Sequence, residues 1–283
     1  MSTVKLWSCC YETFTSNRHH KSMPAFSFSP SLKSRLLAAG IHLTLSLAVA
    51  VLAAWLVFAL WYPYPYREIS GGRELFLIVV TVDVIMGPFL TLSVFNRSKP
   101  VGVLRRDLTV IGFLQLAALV YGLWTVAVVR PVHLAFEIDR FRVVHAVDIP
   151  KGEMNQAPAE LRHLSWTGPT LVSVRAFKNE DEKLETTLAA LGGVSLSARP
   201  FLWQSYEKAK SQILTAAKPL SDLKNRFPAE SGTIDAALKS ASVGGNPGRS
   251  IGYAPMNSRD KFWTVLLDLH TTEVIAFVPI DSF

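Results

Sequence analysis

Three apolar stretches, each long enough to cross a bilayer, constrain this chain more than any other feature. Leu36 to Trp61 runs LLAAGIHLTLSLAVAVLAAWLVFALW without a charge. Leu75 to Phe95 (LFLIVVTVDVIMGPFLTLSVF) carries one, Asp83, and a Gly87-Pro88 break, and Leu108 to Val129 (LTVIGFLQLAALVYGLWTVAVV) carries none. At ~1.5 Å rise per residue each meets the ~30 Å hydrocarbon thickness of a bilayer. Lipid offers backbone amides no partner, so these segments must be helices. The sequence predicts a three-helix transmembrane domain over 36–130 with spans 36–61, 75–95 and 108–129. The first stretch is about twice the length of a signal-peptide core and ends in WYPYPY rather than small residues, so a retained helix is expected.

Charge then sets the orientation. The chain carries 29 Lys+Arg against 22 Asp+Glu, a balance of +7 that invites a nucleic-acid reading. Residues 131–283, however, hold 17 of each sign, so the whole excess lies in the first 130 residues. Lys5, Arg18, Lys21, Lys33 and Arg35 precede the first span, and Arg97, Lys99, Arg105 and Arg106 lie between the second and third. The other side has Arg67, Arg73 and Arg130. Positive connections stay inside, so residues 1–35 read as a cytoplasmic N-terminal lead and residues 131–283 as a domain on the far side, the periplasm of a Gram-negative cell. No nucleic-acid partner is implied. Membrane lipids are the implied surroundings, with Trp61, Tyr62, Tyr64 and Tyr66 as an interfacial belt. Met23 is an alternative start, and Cys9 and Cys10, with no apolar run before them, make no lipoprotein signal.

An ionisable group inside a span is costly and marks a candidate site. Asp83 lies ~12 Å below the outer end of its span by helical rise, level with Tyr121 of the third, whose hydroxyl is a candidate partner. Pro88 frees the carbonyl of Val84, Gly87 admits a close neighbour, and Gln115, level with Pro88, carries an amide able to serve the broken ladder. Asp83, Gly87, Pro88, Gln115 and Tyr121 are the candidate intramembrane contacts for a partner helix. Polar glue within the bundle is the plainer reading of the same residues. A proton or ion path is the third, and a single acid makes a poor relay. His42 reads as a packed or interfacial side chain, since no other His or Cys lies in the spans to complete a metal site.

Beyond Arg130 the pattern changes to that of a small α+β domain over 131–283. Residues 132–149 and 169–177 read as strands, and 261–269 with 273–279 as a hairpin across His270-Thr271-Thr272. Asn179 caps a helix through about Leu191, with Glu182 in the capping-box position and Gly192-Gly193 after it. Residues 200–227 are helical in periodicity with a break at Pro219, and 231–241 form one more helix. The last strand offers an edge for a partner. No catalytic motif occurs, the Gly-rich stretch 243–249 lacks the Lys-Ser/Thr of a phosphate loop, and His133, His145, His163 and His270 show no metal-ligand spacing. No enzymatic activity and no cofactor are expected.

In series, WYPYPY (61–66), VDVIMGPFLTL (82–92), RRDLTVIGFLQLAALVYG (105–122), RPVHLAFEIDRFRVVHAVDI (130–149) and RPFLWQSYEKA (199–209) resemble the TfpX/TfpZ type IV pilin accessory proteins. The resemblance implies an inner-membrane accessory protein, a chaperone or assembly factor serving its cognate type IV major pilin and other pilus assembly proteins in fimbrial biogenesis, surface display and twitching motility. The alternative from the residues alone is a membrane-anchored sensor or transport subunit whose periplasmic domain binds a small ligand.

Overall fold

The computed structural model describes residues 30–241, 250–259 and 261–283. The expectations for Cys9, Cys10, Met23 and the Gly-rich stretch 243–249 concern residues outside that description. Helix α1 (Pro30–Trp55) continues in wider π winding over Leu56–Trp61. A short turn, α2 (Tyr66–Ile69), leads to α3 (Gly72–Thr81), which passes through a π turn (Val82–Met86) into α4 (Gly87–Val94). Helix α5 (Val101–Val128) completes the set. Three membrane-length apolar helices result, Leu32–Trp61, Gly72–Val94 and Val101–Val128, and the chain is a membrane protein. The second and third begin ahead of their apolar runs, so Arg105 and Arg106 ride on α5 itself. Lys99 closes the turn between them: its Nζ donates to the Val94 carbonyl at the end of α4 and to Asp107 on α5, at 3.1 and 2.8 Å.

The C-terminal part is a mixed sheet flanked by helices. Its strands are β1 (Pro131–Glu137), β2 (Arg140–His145), β3 (Thr170–Val174), β4 (Trp203–Ser205), β5 (Lys218–Pro219), β6 (Ile251–Asn257), β7 (Phe262–Asp268) and β8 (Val274–Val278). Its helices are α6 (Glu180–Leu191), α7 (Lys210–Ala216), α8 (Leu220–Arg226) and α9 (Ser231–Ala241). The sheet order is β4-β3-β1-β2-β6-β7-β8, with β5 beside β6; β1 runs parallel to β3 and β2 to β6. Every residue of β1 is buried because side chains pack on both of its faces. Leu134 and Phe136 join Phe141, Met256 and Val265 on one side, while Val132 and Ala135 join Val172 and Trp203 on the other. Helices α8 and α9 cover Tyr253, Leu266 and Val278 through Leu223 and Ile234.

Three strands, β4, β5 and β6, were not legible in the sequence. The helical period of 200–227 breaks at Trp203–Ser205, which adds to the edge of β3 in a three-residue register. Strand β6, with neighbours on both sides, contains Gly252 and Pro255, residues that argue against a central strand. Its partners explain the exception: opposite β7, β5 takes 252–253 and β2 takes 256–257. Pro255 falls between those two pairings, where a missing N–H is tolerated.

A neck joins the two halves rigidly. Tyr66 and Ile69 of α2 are buried in the same core as Leu134 and Val265 of the sheet. Tyr62, fully buried, donates its hydroxyl to the Val126 carbonyl at 3.2 Å. Arg130 donates to the carbonyls of Ala127 and Ser165 and lies 4.0 Å over the Trp166 ring. From the β6–β7 turn, Lys261 reaches the Glu68 carbonyl at 2.5 Å and the Glu74 carboxylate at 3.3 Å. Asp148 braces the same turn, accepting from Arg259 at 2.9 Å and from His145 at 3.0 Å. Burial alone would raise its pKa, but these two donors hold it at about 2. Trp61, Tyr62 and Tyr66, read as a belt facing lipid, are instead buried, and Tyr64 keeps the exposed position.

The β1–β2 turn holds Ile138 at φ 59°. A β-branched side chain in the left-handed region costs roughly 1 kcal/mol or more, and the Ile138 side chain, 73% exposed, recovers little by packing. Ile138→Gly is expected to raise the stability of the purified protein by about 1 kcal/mol in thermal unfolding; a lowered midpoint would show that the turn is not strained.

Candidate functional site

The membrane helices pack unevenly along their length. At the end that meets the sheet, Ala53, Val57, Phe76 and Val126 form a buried core under Tyr62. There a Cβ on Gly122 would come within 2.7 Å of Val79, so glycine sets the close approach of α3 and α5. Farther along, α1 packs on α4 and the π turn while α5 packs on α3 and α4. A groove of about 220 Å³ opens between α1 and α5, with the second helix as its floor. His42, Ser46 and Val49 line one wall, Gln115 and Leu119 the other, and Asp83 lies between them. Leu45, Val49 and Leu116 are exposed along its rim, which therefore faces the surrounding hydrocarbon.

The Gly-Pro break organises the floor. The Nε2 of Gln115 donates to the backbone carbonyl of Asp83 at 3.0 Å. The sequence pointed to Val84, because a proline in an α-helix frees the carbonyl four residues back. The π turn over Val82–Met86 shifts the ladder to five residues, so the group that Pro88 leaves without a donor is Asp83. Gly87 makes room for the repair: a Cβ there would come within 2.6 Å of the Gln115 Cδ. Asp83, Gly87, Pro88 and Gln115 are thus brought together. The side-chain Oδ1 of Asp83, buried in the groove, has no hydrogen-bond partner among the described residues.

Tyr121 is not part of this cluster. It is 68% exposed and sits against Trp124, with ring centroids 5.9 Å apart. Equal depth placed it beside Asp83, but depth does not fix the face. Tyr121 lies six residues from Gln115, which at about 100° per residue turns it some 120° away from the bundle. The neighbouring Gly122 takes the inward position. Conversely, the sequence reading missed His42 as a wall of the groove. Its Nδ1 pairs with the Oγ1 of Thr91 at 2.5 Å, tying α1 to α4. The signal was present in His42, Ser46 and Val49, spaced i, i+4, i+7 along one helical face.

In the sheet domain the histidines stand apart. His133 pairs with Thr170 at 2.7 Å and packs edge-to-face with Trp203, ring centroids 4.5 Å apart, and burial pushes its pKa down to about 4. His145 serves Asp148. Among the described residues no three His, Cys, Asp or Glu side chains gather as a metal site.

A three-helix anchor with an intramembrane groove, fixed to an α+β domain, defines the class as that of membrane proteins with an appended α+β domain. Residues 30–71, which span α1 and the neck, match the pattern of the family described as fimbrial assembly protein FimB. The chain is 36% identical to the fimbrial assembly protein of serogroup I from Dichelobacter nodosus, over 86% of its own length and 94% of the relative's. It is 35% identical over the same shares to the serogroup E1 protein of that organism, and 42% identical over 42% of this chain to the protein of serogroups C1 and C2. No solved structure matches. The chain belongs to the fimbrial assembly protein family, and its role lies in fimbrial assembly.

The repaired break can be tested directly. Gly87→Ala should displace the Gln115 amide and Gln115→Ala should remove it, each costing about 1 kcal/mol in thermal unfolding of the detergent-purified protein. Both changes act on one bond, so Gly87→Ala/Gln115→Ala should cost about as much as Gln115→Ala alone. Additive losses would show that the amide does not sit over Gly87.

Proposed function

We propose that this protein is an inner-membrane chaperone or assembly factor for a type IV pilin, without enzymatic activity. Its N-terminus lies in the cytoplasm and residues 131–283 in the periplasm, as the nine-to-three bias of Lys and Arg favours. The observation that carries the reading is the groove between α1 and α5 with an unpartnered Asp83 oxygen on its floor. A polar group left unmatched in hydrocarbon is costly, and a client helix with a hydrogen-bond donor at that level would satisfy it. An unassembled pilin offers such a helix, with its soluble domain outside. A single protein holding both halves gains from the raised effective concentration of the second contact. Asp83, Gly87, Pro88 and Gln115 form or shape the contact, and Tyr121, turned to the lipid away from the groove, takes no part in it.

The second reading, a sensor or transport subunit, draws on His42 and Asp83 lining one groove. Asp83→Asn separates the two. In cells making the pilin, a photoreactive residue at Leu116 should give an adduct with the pilin, and Asp83→Asn should reduce it at least fivefold along with surface pili. Unchanged pilin level, piliation and twitching in a deletion strain would refute the assembly role, and altered ion coupling in Asp83→Asn with piliation intact would favour transport.

A further inference from the structure

Helix α6 presents the reverse of an ordinary amphipathic helix. Thr186 is fully buried, with Glu182 and Ala189 half-buried on the same face at spacings of four and three. Leu184, Leu188 and Leu191, at that same spacing, are 60%, 58% and 82% exposed. The two faces differ by about 200° of helical rotation. This rotation is held by polar bonds. The Glu182 carboxylate accepts from both terminal nitrogens of Arg175 at 2.7 and 2.9 Å and from the Lys178 N–H at 2.6 Å. Asn179 caps the first turn by accepting from the Glu182 N–H at 2.8 Å. Glu182 thus leaves the reciprocal half of the capping box for a grip on Arg175, and the leucines are locked outward.

Place and charge indicate what covers them. Strand β1 leaves the bundle at Pro131 and ends six residues later at Glu137, ~20 Å farther out by strand rise. Helix α6 is tied at both ends to that far end. Arg175, its first anchor, directly follows the last residue of β3, which runs parallel to β1. After its C-terminus, the Ser197 N–H donates to the Glu137 carboxylate at 3.2 Å. The leucine face therefore lies away from the bilayer. Its rim carries the exposed acids Glu180, Asp181 and Glu185 beside the exposed bases Lys178 and Lys183; Glu180 pairs with Lys183 and Glu185 with Arg199, which leaves Asp181 as the rim's unpaired carboxylate among the described residues. That carboxylate repels anionic headgroups and, in parallel alignment, a second copy of itself. The complement of the face is a protein surface with an apolar centre and Lys or Arg at its rim.

We propose that Leu184, Leu188 and Leu191 form the docking face for the soluble domain of the client pilin, met through an apolar patch with a basic rim. This rests on the pilin reading above and supplies the second of the two contacts.

The experiment places a photoreactive residue at Leu188 in the full-length chain in cells making the pilin, beside the same residue at Leu116 in the groove. Position 188 should yield an adduct with the pilin. Asp181→Lys should reduce that adduct at least threefold, and Leu184→Ser with Leu191→Ser at least fivefold, at unchanged amounts of the chain in the membrane and unchanged crosslinking from Leu116. Adducts from 188 with a second copy of the chain or with lipid, or none with pilin while Leu116 captures it, would overturn the docking face and leave the groove reading standing. No pilin adduct from either position would overturn both.

Discussion

A backbone carbonyl in hydrocarbon must find a donor, and in this protein one of them finds it on another helix. Pro88 takes away the donor for Asp83, and the Gln115 side chain replaces it across the bundle. That bond fixes how close α5 comes to the second helix, while Gly87 permits the approach and the π turn decides which carbonyl needs service. The Asp83 side chain is then left on the groove floor without a partner of its own. The groove is thus a by-product of how the break is repaired, and any reading of the membrane half as a binding site depends on that repair.

The neck extends this order outward. With Tyr66 and Ile69 inside the sheet core and Lys261 reaching down to Glu68 and Glu74, the sheet cannot swing freely on a linker. The stretch matched by the family pattern, residues 30–71, ends within this joint. Anchoring and domain placement are therefore built from one continuous piece of chain.

Much of this could be read in advance, for reasons that differ by residue. Long apolar runs leave no alternative to helices, and the Asn179 cap and the 261–279 hairpin rest on local chemistry that tertiary structure did not override. What escaped depended on neighbours. Strand β6 is hidden by Gly252 and Pro255 until β2 and β5 are seen to leave a gap beside it. Depth along a helix placed Asp83, Gly87, Pro88 and Gln115 together, yet it misplaced Tyr121, because equal height says nothing about azimuth. Trp61, Tyr62 and Tyr66 carried the composition of an interfacial belt but were claimed by the neck and the sheet core. The leucines of α6 were invisible as a surface because leucine in a helix ordinarily means core.

The α+β domain, with equal numbers of acidic and basic residues, projects little long-range field. Electrostatic steering through solution is therefore a weak means of finding a partner. For a partner anchored in the same bilayer none is required: diffusion is confined to a plane, and the fixed neck keeps the domain at a constant height above it. Search is reduced from three dimensions to two, and the chemistry of the faces is left free to serve recognition rather than capture.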